Sequence, residues 1–204
     1  LMTKIFRVML GSMLVAGSAS AQLAQSVHDF GAQGWGTTEI CRPCHTPQNA
    51  SASFAAVLWN HDLSTSAYTV YSSPTLNAST GQPRGVSKAC LSCHDGTVAL
   101  DSFAGSVGTK TMIGRANLGT DLGNDHPVSF TYNDTLAAAD GELHSPTTQS
   151  SGLGNTIAAD MLFGSDNTQL ECASCHDVHN GTNQEFLLVK SNARSALCMT
   201  CHSK

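Results

Sequence analysis

Four copies of C-x-x-C-H decide what this chain can become. They begin at Cys41, Cys90, Cys172 and Cys198 and use all eight cysteines of the 204-residue sequence. Two thiols at this spacing add across the vinyl groups of one haem, and the histidine that follows lies under the ring as an axial ligand of the iron. Zinc knuckles, redox dithiols and disulfide frameworks use related spacings. With nine histidines in the chain, chance places one directly after a given pair about one time in twenty, so four in four point to haem. No cysteine is left for a disulfide or a nucleophilic thiol.

The sequence therefore predicts four covalently attached haem c groups. Thioether bonds are expected from Cys41, Cys44, Cys90, Cys93, Cys172, Cys175, Cys198 and Cys201, and the proximal ligands are His45, His94, His176 and His202. Residues 1–21 read as a secretory signal peptide: Lys4 and Arg7 precede the apolar run "VMLGSMLVAG", and "ASA" at 19–21 offers the small residues a signal peptidase reads. About ten apolar residues are too few to span a bilayer, so no transmembrane span is expected. Residues 22–204 then form a single tetrahaem domain with His28 in an arm at its N-terminus. Export fits the oxidising side of the membrane, where such haems are attached, and places the protein outside the cell or at its surface, with the periplasm as the alternative.

Removing residues 1–21 leaves eight Lys and Arg against 15 Asp and Glu, a net charge of −7. Phosphate binding relies on clustered Lys and Arg, and none cluster here, which disfavours a nucleic-acid partner. The mature part is rich in Ser, Thr, Gly, Asn and Ala, with aromatics at only 6% of the chain and no periodic apolar stretch of helix length. Such a chain is a poor builder of a conventional core. Four macrocycles alter that, since each brings a large apolar face and two covalent tethers. The expected fold is mostly irregular and coil-rich, with short helices, little β-structure and the haem stack serving as the core. Short helical turns are expected at the C-x-x-C-H segments, including one after "TTEI" at 37–40 and one before Cys198 capped by Ser191 or Asn192. The alternation in "SAYTVYSS" at 66–73 suggests a short strand, while "STGQPRG" at 79–85 and "SSGLGN" at 150–155 mark loops.

Successive motifs start 49, 82 and 26 residues apart, so the third and fourth haems are held close by chain length, and the stretch 95–171 is a loop-rich excursion that returns ligands to the haems. Five histidines remain after the proximal four: His28, His61, His126, His144 and His179. Four irons need four distal ligands if all are bis-histidine; His28, His61, His126 and His179 are assigned that role, and His144 is the surplus. His179 stands three residues after His176, and three residues reach at most about 11 Å, too little to round the ring and return on its far face. His179 thus serves the iron of a different haem. The corresponding place after the first motif holds Gln48, which lacks that device. Methionine ligation is disfavoured, because the mature chain has only Met112, Met161 and Met199.

The order of "HDF", "EICRPCHTP", "LWNH", "YSSPT", "CLSCHDGTVALDS", "NDHPVSF", "ECASCHDVHN" and "SNARSALCMTCHSK" resembles the OmcE-type tetrahaem extracellular cytochromes of metal-reducing bacteria. The resemblance runs along nearly the whole mature chain. It implies bis-histidine haems in a continuous stack, a mostly irregular polypeptide, and head-to-tail filaments in which a histidine of one subunit ligates a haem of the next. By position, His28 is the counterpart of that intersubunit ligand. The chain departs from the pattern at Gln48, where relatives often carry histidine. Without the resemblance, "HDFGAQGWG" already reads as an arm with little means of burying itself, able to fold back or to cross to another copy.

Bis-histidine ligation leaves no position for substrate and keeps potentials low relative to His/Met centres. The sequence therefore reads as an electron conductor and not as an enzyme, either a filament delivering electrons to external acceptors such as metal oxides or a soluble periplasmic carrier. Its electron donors would lie in the periplasm or outer membrane.

Overall fold

The computed structural model describes residues 23–24, 26–46, 58–179 and 184–204; the signal-peptide assignment and Gln48 lie outside them. Most of the described backbone is irregular. It carries four short α-helices, α1 (Gly85–His94), α2 (Asp134–Asp140), α3 (Ile157–Met161) and α4 (Cys198–Cys201), and two-residue strands β1 (Phe130–Thr131) and β2 (Gln169–Leu170). The strands pair antiparallel, with Phe130 opposite Leu170. The expected coil-rich architecture is what the chain adopts. None of the described helices is long and apolar enough to cross a membrane.

Caps explain why the helices sit where they do. Asn133 accepts the Leu136 amide at the start of α2, and Gly141 ends it in the left-handed region at φ 74°. Thr156 accepts the Ala159 amide at the start of α3. Each supplies an acceptor that the first turn of a helix cannot find within itself. The anticipated caps act ahead of α4 and not on it: Ser191 Oγ accepts the Ala193 amide at 3.2 Å and Asn192 Oδ1 the Leu197 amide at 3.1 Å, while α4 itself has no side-chain cap.

The expected strand at 66–73 does not form. Thr69 makes one parallel bridge with Asp121, but Tyr68 spends both backbone groups on a side chain: its amide donates to Gln82 Oε1 and its carbonyl accepts from Gln82 Nε2, each at 2.8 Å. An amide side chain in the strand-partner position satisfies the backbone and stops the ladder after one rung.

A protein core lies in the second half, where Phe130, Tyr132, Ala137, Ile157, Met161, Leu162, Leu170 and Leu197 cluster, with Cys175 and Cys201 packed against them. Tyr132 is buried, and its hydroxyl donates to the His144 carbonyl at 2.5 Å. A smaller cluster of Tyr68, Leu91 and Leu122 backs α1.

Candidate functional site

Each C-x-x-C-H segment folds as a single helical turn. The histidine amide donates to the carbonyl of the first cysteine in three of them, His45 to Cys41 at 2.9 Å, His176 to Cys172 at 3.1 Å and His202 to Cys198 at 3.0 Å, while the second motif closes α1. That turn puts both sulfurs and the imidazole on one side of the backbone, as one macrocycle requires. A second device recurs: isolated antiparallel bridges pin His45 to Trp59, His176 to Leu188 and His202 to Leu143. The histidine backbone is thereby fixed by a segment distant in sequence.

The motifs follow one another in space in their sequence order. Cys44 lies close enough to Cys93 to help burial raise that thiol to about 12. Cys90 and Cys172 lie close enough to perturb one another, the proximity raising Cys90 and lowering Cys172. Cys175 and Cys201, both pushed up to about 11 by burial, also feel one another or Cys198 across the third and fourth motifs. All eight cysteines are free thiols. Burial raises the thiols of Cys44, Cys93, Cys175 and Cys201.

Three histidine pairs stand across gaps of one length. Ring centres are 6.0 Å apart for His28 and His94, 6.2 Å for His45 and His179, and 6.3 Å for His126 and His202. Two metal–imidazole bonds of about 2.0 Å, with each ring centre roughly 1 Å behind its donor nitrogen, put trans imidazoles about 6 Å apart. Each pair joins one proximal histidine to one distal candidate, as one iron needs. The interplanar angles are 53°, 13° and 77°. His179 stands across from His45, so the segment after the third motif reaches the first, in keeping with the short-tether argument.

Nδ1 contacts orient the rings. His94 donates to Ala116 O at 2.8 Å, His126 to Pro127 O at 2.9 Å and His176 to Phe186 O at 2.9 Å, leaving Nε2 for a metal. His28 has its Nδ1 buried with no hydrogen-bond partner. Burial first, then the neighbouring His94, His176 and His179, lower it to about 4. A neutral imidazole among other imidazoles is the donor chemistry that haem iron takes. Among the described residues no three His, Cys, Asp or Glu side chains converge as a zinc site would demand. The residues fit haem: paired cysteines for the thioethers and opposed histidines for the iron. Haem supplies a one-electron ferric/ferrous couple. The chain's part is to fix imidazole direction and the spacing of successive motifs.

Two candidates are placed otherwise. His61 is 4% exposed; its Nδ1 lies 2.8 Å from Asp62 O and its Nε2 3.0 Å from Ala99 O, beside Cys93 Sγ at 3.5 Å. His144 is tied by its amide to Cys201 O at 2.8 Å and adds to the charge environment of His202.

Sequence reading missed Glu171, which is 2% exposed. Its carboxylate accepts the Ser87 amide at 3.2 Å, the Ser87 hydroxyl, and the Ser129 hydroxyl at 2.9 Å. Arg84 offers no side-chain cap to α1, so this distant carboxylate caps the helix instead, where its charge suits the N-terminus. Gly85 (φ +52°) permits the approach: a Cβ there would meet Glu171 Oε1 at 2.7 Å. Ser87 Oγ in turn accepts the Cys172 amide at 2.9 Å, so one carboxylate locks the second motif to the third. The available signal was local: Glu171 and Ser174 form a capping box across the third motif.

The doubled CXXCH motif family matches residues 166–204, which hold the third and fourth motifs. No curated protein matches the chain. The first two motifs lie outside that match but repeat its spacing and its local turn. The matched segment and the two further motifs carry the paired cysteines and following histidines that would hold covalently bound haem, as in multihaem c-type cytochromes.

Proposed function

We propose that the chain binds four haem c groups in sequence order and conducts electrons along them as the subunit of an extracellular filament. The observation that carries the reading is the three histidine pairs at 6.0–6.3 Å, set along motifs whose cysteines adjoin one another in sequence order. Iron fixed between two imidazoles reorganises little on reduction, and neighbouring macrocycles give short steps for transfer. The resemblance to OmcE-type cytochromes supports head-to-tail copies linked through His28. In that arrangement the arm exchanges its place across from the chain's own His94 for the same place in a neighbour, so each copy keeps the same contacts while open-ended exchange builds a fibre. Metal oxides and similar external acceptors would lie at the far end, and donors in the periplasm or outer membrane at the near end.

A second reading, a monomeric periplasmic carrier, draws support from His28 lying across from His94 of its own chain. Electron microscopy of protein sheared from cells separates the two. The filament reading expects fibres from wild type and discrete particles from His28→Ala. Discrete wild-type particles that retain all four haems would leave the periplasmic carrier.

A further inference from the structure

We propose that Lys190 tunes the fourth haem: its fixed ammonium group makes the arrival of an electron at the iron held by Cys198, Cys201 and His202 more favourable. The inference rests on the tetrahaem reading and adds to it a residue that sets the energy of one conducting step.

Lys190 is half-buried, and its amine has a built seat. Nζ donates to the Ser151 carbonyl at 2.6 Å and to Thr200 Oγ1 at 3.0 Å, and Thr200 stands in α4 directly before Cys201. Thr200 is itself fixed, 5% exposed, with its hydroxyl donating to Ala196 O at 2.9 Å. The preceding residue, Val189, donates its amide to Cys175 O at 2.9 Å. The third motif thus holds the lysine backbone while the fourth holds its charge. The loop beside the amine is shaped to admit it: at Gly152 (φ +74°) a Cβ would meet Nζ at 2.8 Å.

No ion pair cancels that charge among the described residues, where Lys204 pairs with Glu142, Arg42 with Glu39 and His179 with Asp177. Asp160, which shares Ser151 with the lysine, is taken up by the Ser151 hydroxyl and by the amide and side chain of Asn155. Asp140 and Glu142 also act on His202, but Lys204 offsets Glu142, and Asp140 accepts a hydrogen bond from Asn77 at 2.9 Å. The lysine charge reaches the fourth motif: burial first and then Cys175 push the Cys201 thiol up to about 11, and Lys190 is among the groups that draw it down. A thiol that becomes its anion and an iron that becomes ferrous each gain one negative charge, so a nearby cation favours both. Half-buried, the cation is less screened than one in open solvent.

The test is a spectroelectrochemical titration of the haem-loaded protein, with each curve resolved into one-electron steps. Lys190→Gln, which keeps donor protons, and Lys190→Met, which keeps none, should each lower one step by about tenfold in its reduction equilibrium, about 59 mV for one electron. Lys190→Arg retains the charge and should hold that step near its wild-type place. Replacing Cys198 and Cys201 with Ser removes the fourth haem, and in that background Lys190→Gln should move no step. No shift in the neutral variants, a fall in Lys190→Arg equal to theirs, or the same shift without the fourth haem would overturn the proposal. Intact mass keeps the two levels apart: four haems with an unmoved step would strike this inference alone, and fewer than four in wild type would strike the tetrahaem reading with it.

Discussion

Among the described residues, the third and fourth motifs pack against the larger protein core, and the first is not part of it. Cys175 and Cys201 pack against the cluster of Phe130, Tyr132, Ile157, Met161, Leu170 and Leu197. Around Cys41–His45 the described contacts include the His45–Trp59 bridge and ring contact, hydrogen bonds between Asn60 and this segment, the Arg42–Glu39 ion pair and the His45–His179 pair. A chain of this composition can thus close a small core where four short elements converge, and must otherwise draw its apolar surface from the cofactor. The family match falls on the half that has its own core.

Removing one haem at a time is the strongest way to break this contrast. Replacing Cys41 and Cys44 with Ser should cost the first region its order, with amide exchange over 26–46 and 58–62 rising by about 100-fold or more. The matching replacement of Cys198 and Cys201 should leave the Phe130 and Tyr132 amides protected. Equal losses in both would erase the distinction between the two halves. Next in size, Ile157→Ala opens a cavity at a fully buried side chain and should lower stability by about 2–5 kcal/mol. Chemical unfolding of the haem-loaded variant checks it, and an effect under about 1 kcal/mol would mean that haem carries this half too.

Between the halves sits the Glu171 clasp. The bonds from Ser87 and Ser129 converge on one carboxylate oxygen of Glu171, so Glu171→Gln can keep them but loses the charge that strengthens them and suits the start of α1, and should cost about 1–2 kcal/mol. Serine at 87 is the partner to test in a double-mutant cycle, which should return a coupling well above zero. The smallest effect is expected at Asp95 beside α1. Burial pushes its carboxyl up, but hydrogen bonds from Ser64, Tyr68 and Thr97 outweigh that and hold it below the usual range. Its contribution is therefore present above the unfolded value near 3.9 and is lost as pH falls through the lower folded value. Asp95→Asn should be destabilised by about 1 kcal/mol at neutral pH, and the gap from wild type should narrow in acid. A gap that is constant with pH would show that the carboxylate's charge is immaterial.

Sequence reading reached the local features because they are local. The C-x-x-C-H turn and the amide acceptors at Ser191 and Asn192 follow from a few residues of backbone. The strand at 66–73 failed because its alternation was genuine but its partner was the Gln82 side chain, which no periodicity reveals. Which distal histidine faces which motif was hidden for the same reason: His126 and His202 are 76 positions apart, and only the fold brings them within 6.3 Å. Counting histidines sets supply against demand but not position; in the fold both ring nitrogens of His61 lie beside backbone carbonyls.

The measurement that bears most directly on the account is a map of the haem-loaded protein, by cryo-electron microscopy or crystallography, sharp enough to show axial ligands. The account predicts His45 with His179 on the first iron, His126 with His202 on the fourth, and His28 with His94 on the second, from its own chain or a neighbour. His179 bound to the iron above His176, or His126 on any iron but the fourth, would contradict it.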